Sequence, residues 1–352
     1  MANRKLTALV AVAAMGALTA CNSSKQNENV NLAGAGSTFV NPVMTHWTAD
    51  FSRTHPNVRI NYQSIGSGGG VQQVKAGTVD FGASDYALTD EQLKTMAPVV
   101  QIPESAGPVC ITYNLPGLTE PLRLSANSLA GLFLGTIKNW NDPKVAKDNP
   151  GVKLPNLPVV ISHRSDGSGT TSIFTTYLAA VSPDWQSKVG KGSAVSWPVG
   201  IGGKGSEGVT GNIRNTPGGI GYVELSYAQQ NHLPTVAMQN AAGQFVQPTA
   251  AGATAAIAAF TADLTKDPRT PIVNPPSSAA DAYPISGLTF LIIPKDGPDK
   301  AKRTALKQFV QYIIADGQAT AGTLSYAPLP DGVKQYDQQQ LQSLTAAGQP
   351  IS

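Results

Sequence analysis

Leu32-Ala33-Gly34-Ala35-Gly36-Ser37-Thr38-Phe39 leads into Val43, Trp47 and Phe51 at spacings of four, and Val58-Arg59-Ile60-Asn61-Tyr62 then alternates at period two. The pattern is a short apolar strand, a polar glycine loop, one helical stripe and a second strand. It continues at once: Gly66-Ser67-Gly68-Gly69-Gly70 reads as a turn, residues 71–76 as a short helix, and Val79-Asp80-Phe81-Gly82-Ala83-Ser84 as a third strand. Parallel neighbours need a crossover helix, so this βαβ rhythm predicts an α/β fold with a mostly parallel sheet flanked by helices. Ligands of such sheets sit beyond the carboxyl ends of the strands, where these glycine loops fall.

The 352 residues are 41% hydrophobic and 13% charged, which supports ordinary globular cores and excludes a disordered chain or a membrane bundle. That length suggests about two domains. Two later apolar runs, at 107–113 and 285–293, are each long enough for a strand and are flanked by Pro or Gly. Read as two hinge strands, they divide the chain into a discontinuous first lobe, residues 28–111 and 284–352, and a second lobe, residues 112–283. A plain tandem of two domains with one crossing near residues 150–158 fits the same punctuation.

At the start, Arg4 and Lys5 precede an apolar run over 6–20 that is too short to span a bilayer, so residues 1–20 read as a secretory signal peptide. Leu18-Thr19-Ala20-Cys21 resembles a bacterial lipobox, which implies a lipidated Cys21 with 21–27 as anchor and tether. An ordinary secretory signal ending in a chance cysteine is the alternative. Loss of the signal leaves 23 basic side chains against 22 acidic ones, a net charge near +1. So even a balance gives no basic stripe and no nucleic-acid partner. Cys110, inside Val109-Cys110-Ile111, reads as a small buried hydrophobe.

The sharpest local signal is Val159-Val160-Ile161-Ser162-His163-Arg164-Ser165-Asp166-Gly167-Ser168-Gly169-Thr170-Thr171, followed by the stripe Ile173, Phe174, Tyr177, Leu178 and Val181. Such a loop points backbone N–H groups outward at a helix N-terminus, where the dipole also favours an anion. Arg164 adds a bidentate charge that Asp166 can hold in place, and Ser168 and Thr170 add hydroxyls. Asp166, Ser168 and Thr170 equally suit a plain helix cap. The loops at 36–39 and 65–70 also precede helices, so three loops can converge on one small anion.

The common enzyme motifs mostly fail in this sequence. Gly34-x-Gly36 lacks the third glycine of a dinucleotide fingerprint, Gly203-Lys204-Gly205 lacks the Ser or Thr of a P-loop, and no Gly-x-Ser-x-Gly elbow occurs. The four histidines have no metal-ligand spacing. Only His163, beside Arg164 and near Ser168, suggests a catalytic grouping, and a surface or core role suits it better. No cofactor and no metal are expected. Trp140, Trp185 and Trp197 read as plugs of the second lobe's core.

Gly34-Ala35-Gly36-Ser37-Thr38-Phe39, Gly66-Ser67-Gly68-Gly69-Gly70-Val71, Asp80-Phe81-Gly82-Ala83-Ser84-Asp85, Arg164-Ser165-Asp166-Gly167-Ser168-Gly169-Thr170, Trp197-Pro198-Val199-Gly200 and Gly219-Ile220-Gly221-Tyr222-Val223-Glu224 together resemble the phosphate-binding protein of bacterial ABC phosphate importers. The resemblance implies a two-lobed periplasmic-binding-protein fold closing over phosphate, with contacts from Thr38, Phe39 (its N–H), Ser67, Asp85, Arg164, Ser168, Gly169 (its N–H) and Thr170. Asp166 supports Arg164. A buried carboxylate such as Asp85 repels an oxyanion unless the ligand carries a proton, as phosphate does near neutral pH and sulfate does not; the alternative for Asp85 is a cap for a helix near Glu91. Three residues depart from the family pattern: Ser37 for a commoner Ala, Gly69 extending a glycine run, and His163 where a basic residue often precedes the Arg. The resemblance further implies a monomer without catalytic residues that delivers phosphate to ABC permease subunits; many members are free periplasmic proteins, and the lipobox at Cys21 adds a lipid anchor, which places this chain in the cell envelope, on the outer side of the cytoplasmic membrane or in the periplasm. A secreted phosphatase holding phosphate as product is the rival function.

Overall fold

The computed structural model describes residues 29–351; the signal segment, Cys21 and the tether lie outside the described residues. Eleven strands carry the architecture: β1 (Val30–Gly36), β2 (Val58–Ser64), β3 (Phe81–Ser84), β4 (Val99–Asn114), β5 (Arg123–Leu124), β6 (Val160–Arg164), β7 (Ile201–Gly203), β8 (Gly219–Glu224), β9 (Ala237–Gln239), β10 (Phe245–Val246) and β11 (Ser286–Pro294). Eight form one sheet in the order β2-β1-β3-β11-β4-β8-β6-β7, and β10-β9-β5 form a smaller one. Pairing is parallel between β1 and both β2 and β3, and between β6 and both β7 and β8. The three central pairs, β3 with β11, β11 with β4 and β4 with β8, are antiparallel. The fold is thus the two-lobed α/β architecture expected, each half a mixed sheet flanked by helices.

β4 belongs to both halves. Its residues 99–108 pair with β11, and Val109 to Asn114 pair with β8. The chain returns beside the same point, where the Val109 N–H donates to Ile285 O at 2.8 Å and Tyr283 OH donates to Val109 O at 3.2 Å. β4 is longer than the apolar run at 107–113, because Pro103, Glu104 and Ser105 continue it. Pro103 is tolerated where the register shifts between Thr289 and Phe290, a break in the ladder where a missing N–H costs nothing.

The helix expected over 71–76 begins earlier, at Ser67, and runs to Ala76. The glycine run is therefore helical rather than a turn. Close packing explains it: a Cβ on Gly70 would lie 2.5 Å from Ala35 O on β1, so only glycine lets this helix lie so close to the strand.

In the first half the core gathers Trp47, Phe51, Phe81 and Phe309, with Phe51 edge-on to Phe309 at 5.2 Å. In the second half Trp140 and Trp185 are fully buried as expected, whereas Trp197 is half-buried and stacks on His163 at 4.7 Å. Cys110 is a buried free thiol donating to Val223 O at 3.3 Å. Two buried carboxyls stand out. Glu104 accepts from Thr289 Oγ1 at 3.1 Å through one oxygen while the other has no partner among the described residues. Asp337 lies on the otherwise apolar stripe Val333, Asp337, Leu341 of the helix Asp331–Gln342, with neither oxygen partnered among the described residues.

Candidate functional site

The loops that follow the parallel strands of the two halves face each other. β1 leads through Ser37–Val40 into the helix Asn41–Thr54, β2 leads through Gly66 into the helix Ser67–Ala76, and β6 leads through the loop 165–168 into the helix Gly169–Val181. The loops meet directly: the Gly68 N–H donates to Gly167 O at 2.9 Å, and the Gly169 N–H to Ser67 Oγ at 3.0 Å. Gly66 must be glycine twice over, with φ at +88° and a would-be Cβ 2.3 Å from Asp166 Oδ2. Gly169 packs its Cα against Asp85, whose backbone N would lie 2.6 Å from an added Cβ.

Arg164 supplies the positive charge. Its side chain is 2% exposed, and its Nε and Nη2 donate to Asp166 Oδ1 at 2.8 Å and Oδ2 at 2.5 Å. Nη1 is left to reach across to Thr38 Oγ1 at 3.0 Å. Burial works against the charge on Arg164, but the hydrogen bonds and charge of Asp166 outweigh it and hold the guanidinium protonated. Asp166 is partly exposed; burial pushes it up, and Arg164 with the Gly205 N–H pulls it below its ordinary value. This fork fixes one planar cation with a free edge toward the loops.

Asp85 is the opposing charge, 3% exposed. Ser37 Oγ donates to its Oδ1, and Ser67 Oγ and Thr170 Oγ1 each lie 3.4 Å from its Oδ2. Burial pushes the carboxyl up to about 6, against hydrogen bonds from Ser37, Thr289 and Ser67 and the charge of Arg164. Behind it, burial and the Asp85 charge push Glu104 well above the ordinary range. The N–H groups of Thr38 and Phe39 are buried and take no acceptor among the described residues, an arrangement rare for backbone donors unless a ligand meets them.

All the residues expected at the site, Thr38, Phe39, Ser67, Asp85, Arg164, Asp166, Ser168, Gly169 and Thr170, are brought into this one region. The cap readings separate cleanly. Ser168 caps its helix, accepting from the Thr171 N–H at 3.1 Å, which leaves its own proton free to donate. Asp166 does not cap the helix that follows it; it serves Arg164 and accepts from the Gly205 N–H, the first of the helix Gly205–Asn215, at 3.0 Å, while the helix Asp90–Leu93 is capped by Thr89, not by Asp85. His163 is turned aside, Nδ1 3.0 Å from Arg164 O with its ring on Trp197.

Sequence reasoning missed several members. Ser37, noted there only as a departure, donates to Asp85. The helix Gly205–Asn215 brings a further N-terminus, with Ser206 Oγ 2.8 Å from Thr38 Oγ1. Tyr222 sits under the Arg164 loop, 2.6 Å from Thr171 Oγ1 and 3.2 Å from the Arg164 N–H. The glycines at 203 and 205 were the available signal for that helix start. The whole is a cradle of hydroxyls, N–H groups and one guanidinium with a single buried acceptor, suited to a small oxyanion that carries a proton.

Comparison with known proteins gives a consistent result. Residues 22–317 match the model of the PBP superfamily domain. The phosphate-binding protein PstS of Xylella fastidiosa is 45% identical over 318 residues, covering 90% of this chain and 86% of that protein. The protein of the same name from Haemophilus influenzae is 41% identical over 306 residues, covering 86% and 90%. Among solved structures, a high-affinity periplasmic phosphate-binding protein (PfluDING) with bound phosphate superposes with a TM-score of 0.69 at 22% identity, covering 88% of this chain and 93% of that one. The phosphate-binding protein from Stenotrophomonas maltophilia gives 0.68 at 16% identity, covering 87% and 92%. At those identities the structural likeness concerns the fold.

Proposed function

The chain belongs to the PstS-type phosphate-binding proteins of the PBP superfamily, and from that premise we propose that it binds inorganic phosphate outside the cytoplasmic membrane and delivers it to ABC permease subunits for import. The family is one of binding proteins, not enzymes. In this reading phosphate is held by Thr38 and the Phe39 N–H, Ser67, Asp85, Arg164, Ser168, the Gly169 N–H and Thr170, with Asp166 fixing Arg164. The Gly169 N–H, aimed at Ser67 Oγ, turns to the ligand as Ser67 does. Residues 28–111 with 284–352 form one lobe and 112–283 the other, moving about the two hinge strands at 107–113 and 285–293. The protein works as a monomer, exported by its signal peptide and held at the envelope by lipid on Cys21.

The observation that supports this most is Asp85, a buried carboxylate facing the same cradle as Arg164 and two orphan N–H groups. An anion without a proton meets repulsion there, whereas hydrogen phosphate donates to it. Calorimetric titration of the purified chain at neutral pH with phosphate and with sulfate tests the reading. Tight binding of phosphate and negligible binding of sulfate are expected, with compaction on phosphate in small-angle scattering and no hydrolysis of a generic phosphate monoester. Equal binding of the two anions, or none of phosphate, refutes it.

A further inference from the structure

Each carbonyl of the loop Ser37-Thr38-Phe39 is held by a tyrosine hydroxyl. Tyr62 donates to Ser37 O at 2.8 Å, Tyr227 to Thr38 O at 2.7 Å and Tyr326 to Phe39 O at 2.6 Å. Tyr62 on β2 and Tyr326 near the C-terminal helices stand on the loop's own side. Tyr227 stands on the helix Leu225–Gln230 that follows β8, so its bond is made from the opposite half.

A trans peptide is planar, and its C=O and N–H point to opposite sides of one unit. The Thr38 carbonyl therefore shares its plane with the Phe39 N–H, one of the two orphan donors. Whatever holds that carbonyl fixes the direction of that N–H, and a hydrogen bond accepted at one end of the unit strengthens the donor at the other. The Ser37 carbonyl and Thr38 N–H are related in the same way through Tyr62. The Phe39 carbonyl shares its plane with the Val40 N–H, which is already directed at Ser37 Oγ, 3.4 Å away.

We propose that Tyr227 is a positioning residue for the ligand: its hydroxyl, donated across the cleft to Thr38 O, aims and strengthens the Phe39 N–H only when the halves are together, so that it governs release rather than capture. This rests on the phosphate reading above. The hydroxyl has one proton and two acceptors in reach, Thr38 O at 2.7 Å and Glu207 Oε1 at 3.0 Å. The carbonyl is the shorter contact, and Glu207 lies exposed at the rim. Burial first, and then the Glu207 charge, keep the phenol protonated and hence a donor. The Asn41 N–H also reaches Thr38 O, at 3.3 Å, but from the loop's own side.

Tyr227→Phe removes the oxygen and keeps the ring. Stopped-flow with phosphate is expected to show dissociation accelerated about threefold to tenfold, the net worth of one such hydrogen bond, with association within about twofold of the parent and the unfolding midpoint of the ligand-free protein unchanged. In the phosphate-saturated protein the Phe39 amide proton should shift upfield. Tyr326→Phe, which touches the Val40 peptide plane, should lower the unfolding midpoint and leave dissociation alone. Site-specific 3-fluorotyrosine at 227, a stronger donor of the same shape, should slow release. Release from Tyr227→Phe at the parental rate, acceleration by Tyr326→Phe as large as by Tyr227→Phe, or faster release from the fluorinated protein overturns the proposal while phosphate binding by the parent stands. A parent that does not bind phosphate overturns the functional reading itself, and this proposal with it.

Discussion

Replacing Asp337 with Asn should make the protein more stable at neutral pH, by an amount that grows as pH rises. The carboxyl is fully buried, has no partner among the described residues, and is pushed by burial alone up to about 9. In the unfolded chain an aspartate titrates near 3.9. Between these values the folded chain holds a proton that the unfolded chain has lost. Stability from this group is therefore fully present below about pH 3.9, falls by about 1.4 kcal/mol per pH unit above it, and levels off beyond about pH 9. Over the roughly three units to pH 7 the loss reaches about 4 kcal/mol, an upper value because any water reaching the carboxylate reduces it. Asn keeps the shape and cannot ionise. Urea unfolding of both proteins without phosphate, across roughly pH 5 to 8, should show the Asn variant gaining over the parent with each unit at unchanged denaturant slope. Two parallel pH profiles would show that Asp337 is not buried and neutral in the native state.

The remaining expectations concern the ligand. Arg164→Ala leaves Asp166 and a bound anion without their cation, so calorimetry should show a loss of about 3 to 5 kcal/mol of phosphate affinity; parental affinity would reduce the loop to a helix cap. Sulfate should begin to bind as pH falls through about 6, where Asp85 gains a proton and becomes a donor, and Asp85→Asn should take sulfate at neutral pH as well, whereas undiminished discrimination by that variant would place selectivity elsewhere. Gly169→Ala sets a methyl 2.5 Å from Asp85 Cβ and should weaken phosphate binding by about 1 to 3 kcal/mol, as titration can check. Cys21→Ser should leave affinity unchanged and abolish lipidation, read by mass spectrometry and membrane fractionation.

The parts of the fold visible in the sequence were those where side chains carry the period. Val43, Trp47 and Phe51 mark one helical face, and Val58, Ile60 and Tyr62 one strand face. The Ser67–Ala76 helix was misread because its first turn consists of glycines: what makes it helical is its contact with β1, a distance in space that no local pattern encodes. The start of β4 was hidden by Pro103, Glu104 and Ser105, polar or strand-averse residues tolerated only because of a register shift and a Thr289 hydroxyl more than 180 residues away. At the site, the charged pair Arg164 and Asp166 and the loops themselves were legible because their chemistry is local. Ser37, Ser206 and the tyrosines act through partners far along the chain, and a single hydroxyl carries no motif.

The placement of β11 also governs the order in which the molecule can come into being. This strand lies between β3 and β4, pairing Phe290 with Ser84 and Ser286 with Pro108, so the central ladder of the first half stays open until residues near 290 have been made. A nascent chain can therefore pair β1 with β2 and β3 early, but β3 and β4 stay unjoined until β11 arrives, and loop closure across such separations is slow. The second half, contiguous in sequence between the two crossings apart from the shared β4, can assemble first. The central ladder of the first half thus closes only when roughly the last fifth of the chain has been made.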